Sequence, residues 1–340
     1  MRNRHYLTAK ISILALCLLL GSAALAQSDR SSKEQSTEPG KEETIKVDAS
    51  LVDVPIVASD KQGKYIPGLR AEDFVLYEDG IRQELEFFSS ETVPFHVVLL
   101  LDTSSSIRQR LIAIQDAARQ FVSNLRNNDQ VMIISFGTDI TVENRFTSDK
   151  AKLTQAIRSV TPGGSTRLYD AVLLAARNVL KKKEGRKALI ILTDGNDTGS
   201  YMHAKYAISE TVESGGLVYV VRYPRSNAPS TQNYSNHVSP SGKFAAQYPY
   251  PYDYNFVGEL IDKTDGTLFD ATSIYNLAGP MRNIAEELRH VYSIGYYPLN
   301  PVQNGGYRKI ELRLRDHSSV GLRYKKGYDA ANLVKNSSVK

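Results

Sequence analysis

The sequence predicts an α/β fold, with a doubly wound, mostly parallel sheet and a smaller flanking β-sandwich. Three observations predict it. From Pro94 onward, short apolar runs alternate with segments whose apolar residues recur at helical spacing. The runs at 96–101, 131–136, 187–192 and 217–223 are almost wholly apolar, as strands covered on both faces must be. On either side, residues 44–93 and 298–330 alternate apolar with polar residues, the pattern of half-buried strands.

Residues 1–26 read as a signal peptide. Arg2, Arg4 and Lys10 form a basic start, residues 11–20 a short apolar core, and Ala24-Leu25-Ala26 a cleavage site before Gln27. The expected mature protein is therefore periplasmic or secreted and has no transmembrane segment. Cys17 is the only cysteine, so cleavage removes any means of forming a disulfide or thiolate metal site. Residues 27–43 are polar without periodicity and read as a disordered linker.

Strand signals begin at residue 44. Ile45, Val47, Ala49 and Leu51 alternate with polar residues, and Phe74, Leu76, Leu85 and Phe87 supply further apolar faces. About fifty residues of β structure cannot bury a large core alone. Residues 44–93 are thus expected to pair with 298–330, where Ile310, Leu312 and Leu314 alternate with charged residues. The α/β segment 94–297 is then inserted between two halves of one β-domain, and 331–340 is a tail.

Within that segment, Leu111, Ile114, Ala118, Phe121 and Leu125 mark the first helix, and a short edge strand is expected at 141–146. Helices follow at 150–159 and 168–182, the latter with Leu168, Val172, Ala175 and Val179 on one face. Further helices are expected at 201–214 and 257–263, a strand at 267–270, and a long helix at 273–289 faced by Leu277, Met281, Ile284 and Leu288. Residues 224–255 interrupt the pattern with Ser, Asn, Pro and Tyr. Such a loop reads either as a partner-binding surface or as an insertion without a role.

The chain carries 42 basic and 37 acidic side chains, and loss of the first 26 residues brings it closer to neutrality. Nothing there calls for nucleic acid. The run Lys181-Lys182-Lys183 falls where a helix ends, a place that favours cations.

The chemistry gathers at strand ends. Asp102-Thr103-Ser104-Ser105-Ser106 follows the run at 96–101, and alternate residues can aim a carboxylate and two hydroxyls the same way. Gly163-Gly164-Ser165-Thr166 offers another hydroxyl, and Thr193-Asp194-Gly195 a second carboxylate after the run at 187–192. Oxygen donors of this kind suit a hard cation such as magnesium.

This three-part set resembles the metal-ion-dependent adhesion site of von Willebrand factor A (VWA) domains. The resemblance implies Asp102, Ser104, Ser106, Thr166 and Asp194 as ligands. It also implies Mg2+ as the ion, with Mn2+ or Ca2+ able to replace it, and a protein partner that presents Asp or Glu to it. Gly68-Leu69, Asp73-Phe74, Glu78-Asp79-Gly80 and the stretch from Tyr292 to Pro298 are similar to secreted VWFA-related proteins of acidobacterial type.

An enzyme is not expected. The six histidines form no metal-binding pair, no Gly-x-Ser-x-Gly elbow surrounds Ser104 or Ser106, and no phosphate loop is present. The leading expectation is an exported adhesion or interaction module. The alternatives are a structural envelope protein with a purely stabilising metal and a metal-dependent hydrolase.

Overall fold

The long apolar runs become the inner strands of a six-stranded sheet. The computed structural model describes residues 51–60, 64–90, 93–104, 110–224, 254–300, 306–315 and 320–331. The expected signal peptide and linker, Ser106, most of the 224–255 interruption and residues 332–340 lie outside the described residues.

The chain begins with strands β1 (Val52–Ser59), β2 (Phe74–Glu78), β3 (Ile81–Gln83) and β4 (Phe87–Ser89). Next come β5 (His96–Asp102), α1 (Leu111–Asn124), β6 (Gln130–Phe136), β7 (Ile140–Val142), α2 (Lys150–Ser159) and α3 (Leu168–Leu173). Then follow β8 (Lys187–Thr193), α4 (Ala204–Ser214), β9 (Leu217–Arg222), α5 (Tyr254–Thr264), β10 (Thr267–Asp270) and α6 (Ala278–Leu288). Strands β11 (Tyr292–Tyr296), β12 (Tyr307–Leu314), β13 (Gly321–Tyr324) and β14 (Gly327–Asp329) close the order.

The central sheet runs β10-β9-β8-β5-β6-β7, and every pair is parallel except β6–β7. Alternation along each strand feeds two cores. Val97, Leu99 and Leu101 pack with α1, α2 and α6, while Val98 and Leu100 face the core built on α3, α4 and α5. This is the doubly wound α/β architecture that the sequence predicts.

Several elements depart from expectation for visible reasons. The helix expected over 168–182 is α only to Leu173. Residues Leu174–Val179 open into a π turn and Leu180–Lys182 tighten to 3-10. One residue is thereby added to the turn, and Leu180 rather than Val179 takes the fully buried place. The expected edge strand at 141–146 stops at Val142. The Asn144 side chain takes over pairing to the sheet, accepting from the Ile133 N–H at 3.1 Å and donating to the Val131 carbonyl at 3.0 Å. The expected helix at 273–289 is a 3-10 turn, Ile274–Asn276, followed by α6.

Two four-stranded antiparallel layers form the sandwich, ordered β13-β1-β11-β4 and β14-β12-β2-β3. Val54, Ile56, Leu76, Ile294, Ile310 and Leu312 fill the space between them. Strands from before and after the α/β segment pair directly, Val52 opposite Tyr296 and Leu76 opposite Leu312. One boundary differs. Tyr292–Tyr296 was expected inside the segment 94–297, yet it lies between β1 and β4, buried throughout. The Tyr292 hydroxyl fixes it there, donating to the Ile66 carbonyl at 2.9 Å and accepting from the Leu69 N–H. Among the described residues no helix is long and apolar enough to cross a membrane.

Candidate metal centre

Strand order reverses between β5 and β8, and in open α/β sheets the ligand crevice lies beyond the carboxyl ends of strands at such a point. Leu101 stands opposite Leu192, so Asp102 and Thr193 emerge side by side. The Thr193 hydroxyl donates to Asp102 Oδ2 at 2.8 Å, and the Ser104 N–H donates to Asp102 Oδ1 at 2.9 Å. Asp102, Thr193 and Ser104 are buried. Asp194 is half-buried, with its Oδ1 accepting from the Asn196 N–H at 3.0 Å.

The loop carrying Thr166 is held by its neighbours. The Gly163 N–H donates to the Thr103 carbonyl, and Thr138 Oγ1 accepts from the N–H groups of Gly164 and Ser165, both at 3.1 Å. Gly137 makes this approach possible. A β-carbon there would lie 2.8 Å from Thr103 Oγ1 and 3.2 Å from the Gly163 Cα. Thr166 itself is buried, and its N–H donates to Thr198 Oγ1 at 2.9 Å.

A clasp that sequence reasoning missed joins the Thr166 loop to the loop after Asp194. Asp197 Oδ1 accepts from the N–H groups of Leu168 at 2.8 Å and Tyr169 at 3.3 Å, satisfying donors at the start of α3 from another part of the chain. Asp170 answers from α3. Its Oδ1 accepts from the Met202 N–H at 2.9 Å, and its Oδ2 from the Tyr201 N–H at 3.0 Å and the Arg167 guanidinium at 2.8 Å. These bonds engage the Tyr201 and Met202 N–H groups in the loop, and α4 starts at Ala204 and not at 201. The available signal was a second acidic residue in each loop, Asp170 after Thr166 and Asp197 after Asp194.

The charges are arranged unusually. Burial and then the neighbouring Asp194 carboxylate push Asp102 up to about 7. Tyr223, just beyond the end of β9, is buried close enough to feel the site's charge. Among the described residues its hydroxyl has no hydrogen-bond partner, and burial, then the Asp102 and Asp194 carboxylates, hold its pKa well above the ordinary phenol range. Among the described residues no group of three or more His, Cys, Asp or Glu is placed to share an ion, so a cation here would draw on hydroxyls. Two carboxylates and the neighbouring Ser104 are hard oxygen donors, and they fit a magnesium-like ion. Of the five expected ligands, Ser104 is bonded to Asp102, Asp194 acts on Asp102 through its charge, Thr166 is buried in a loop tied to Thr103, and Ser106 falls outside the described residues.

Residues 97–196 match the family model for the von Willebrand factor type A domain. The chain therefore carries a VWA domain. It is similar to the uncharacterized protein sll0103 of Synechocystis, 28% identical over 109 residues, which are 31% of this chain and 26% of that one. It is also similar to the uncharacterized protein YfbK of Escherichia coli, 32% identical over 114 residues, which are 32% of this chain and 20% of YfbK. The matched part thus spans about a quarter and a fifth of these relatives' lengths. Among solved structures, proximal thread matrix protein 1 from the mussel byssus, with a zinc-occupied MIDAS motif, is 18% identical at a TM-score of 0.45. That likeness covers 62% of this chain and 49% of the mussel chain.

Proposed function

We propose that this protein is an exported interaction module of the secreted VWFA-related type. In this reading Asp102, Ser104, Ser106, Thr166 and Asp194 hold a divalent cation, magnesium in the first instance. One observation carries the proposal: the fully buried Asp102 carboxylate, which no cationic side chain pairs among the described residues, feels the charge of a second carboxylate, Asp194. Such a pair is stabilised by a bound cation and strained without one. The bound ion would supply a coordination position for an Asp or Glu of a protein partner.

The chain's own residues supply the rest. Thr193 and the Ser104 N–H orient Asp102, while the clasp of Asp170 and Asp197 ties the start of α3, just after Thr166, to the loop that follows Asp194. Interaction fits better than hydrolysis because Asp102 is oriented by a hydroxyl and an amide, and His96 stands at the far end of β5. Export rests on the basic and apolar start of the sequence.

Calorimetry with Mg2+ or Mn2+ on the mature protein tests the site. Binding is expected in the parent and absent in Asp102→Ala, with a melting temperature that rises with the ion in the parent alone. Equal melts in excess magnesium and in chelator would overturn the metal site. Capture of an acidic partner that survives chelator would overturn its role in adhesion.

A further inference from the structure

The opposite edge of the central sheet carries charge that the cation site does not use. Arg186 stands immediately before β8, its carbonyl accepting from the His96 N–H at 2.9 Å. Asp194 follows the other end of that strand, so the two edges are roughly 20–25 Å apart at the usual rise per residue. Arg186 is 2% exposed, yet among the described residues its Nε and both Nη atoms have no hydrogen-bond partner. Phe95 lies 5.7 Å from the guanidinium carbon and offers a ring but no acceptor.

Two more arginines gather there. Arg126 donates from Nη2 to the Arg289 carbonyl and leaves Nη1 buried and unpaired. Arg289 donates from Nη2 to the Asn124 carbonyl and leaves Nε likewise. The nearby carboxylates are engaged elsewhere. Asp129 accepts from the N–H groups of Phe95 and Arg126, at 3.0 and 3.1 Å, and Asp53 accepts from the Ser293 hydroxyl at 2.6 Å. They offset charge from a distance without filling the arginine donors. Burial first, and then Arg126, pull Arg186 down to about 10 against the opposing pull of Asp53 and Asp129. Tyr65 feels the same guanidinium from the sandwich side, its ring stacked 4.3 Å from that of His290.

A buried guanidinium with every nitrogen unpaired is costly, and its planar fork matches the spaced oxygens of an oxyanion. We propose that Arg186 and Arg126 form an anion site at the base of the central sheet, where it meets the β-sandwich, and that it takes a small oxyanion. The anion would neutralise the mutually repelling arginines and join the two layers. The site is independent of the cation centre and does not rest on its function.

The test uses the mature full chain in two buffers of equal ionic strength, one with sodium chloride alone and one with added inorganic phosphate. In phosphate the parent's melting temperature should rise saturably, while Arg186→Met should show at least tenfold weaker dependence. In the phosphate-free buffer Arg186→Met should melt at or above the parent, because an uncompensated charge has been removed while the stem packing on Phe95 is kept. The order of stability then reverses between the two buffers. An acetate arm assigns the class: a shift with acetate alone means a carboxylate, with phosphate alone a phosphate. Equal shifts in both proteins, or the same stability gap in every buffer, would show that water and the distant carboxylates satisfy Arg186, and would overturn the proposal. If Arg186→Met does not fold, Arg126→Met decides by the same comparison.

Discussion

Asp170 shows how one side chain can fix two loops. Burial alone would raise its pKa, but the N–H groups of Tyr201 and Met202 and the Arg167 guanidinium hold it below the ordinary carboxylate range. The unfolded chain therefore binds more protons in acid than the folded one, so stability rises with pH through this interval. The contribution is complete above the unfolded pKa, about 4, and is lost as pH falls through the lower folded value. Asp170→Ala should cost about 3 kcal/mol near neutrality, since two amides and a guanidinium lose their acceptor. Urea titrations should show the gap between parent and variant closing toward pH 3; a gap that stays constant would mean the carboxylate's charge is irrelevant. The places of Asp102 and Asp194 after buried strands were legible in the sequence, because each follows an unbroken apolar run. The clasp was not, because the bonds of Asp170 to Tyr201 and Met202 span 31 and 32 residues, and no local pattern announces so distant an amide.

Among the elements, strands of the central sheet were the most legible, since burial on both faces leaves an unbroken apolar run. Helix type was less so. The periodicity through Leu168, Val172 and Ala175 is real, but an extra residue in the π turn slides the face from Val179 to Leu180. Period-two patterns name a strand without naming its partner, so the place of β11 in the sandwich could not be read from Tyr292–Tyr296 alone. One close approach beside the candidate site is at Gly137, where the end of β6 meets the Thr166 loop. Gly137→Ala brings a β-carbon 3.2 Å from the Gly163 backbone, which cannot rotate away as a side chain could. We expect a loss of about 1–3 kcal/mol from overpacking and, if the cation site is as proposed, at least severalfold weaker magnesium binding. A variant that melts and binds like the parent would show that these loops are not interlocked.

In the whole molecule, the sandwich and the α/β layer are joined by more than chain connections. Arg323 of β13 pairs with Glu287 of α6, which also accepts from the Tyr219 hydroxyl at 2.7 Å. Lys326 pairs with Asp265 at 2.9 Å. One cooperative melting transition is therefore expected, followed by tyrosine signals since the chain has no tryptophan. Glu287→Ala should lower stability by about 2 kcal/mol by stranding a mostly buried Arg323. Two resolved transitions in the parent would show that the layers melt separately. The interleaving of the two layers also sets a timetable for synthesis. Asp53 on β1 meets Ser293 on β11 across 240 residues of chain. At ordinary translation rates β1 waits roughly ten to fifty seconds before its partner strand exists. Until then its hydrogen-bonding edges and its apolar face stay open, while the α/β segment can form through shorter-range contacts. The sandwich is thus the last part to close. A chain of this design must keep its first strands from pairing elsewhere until the last ones arrive.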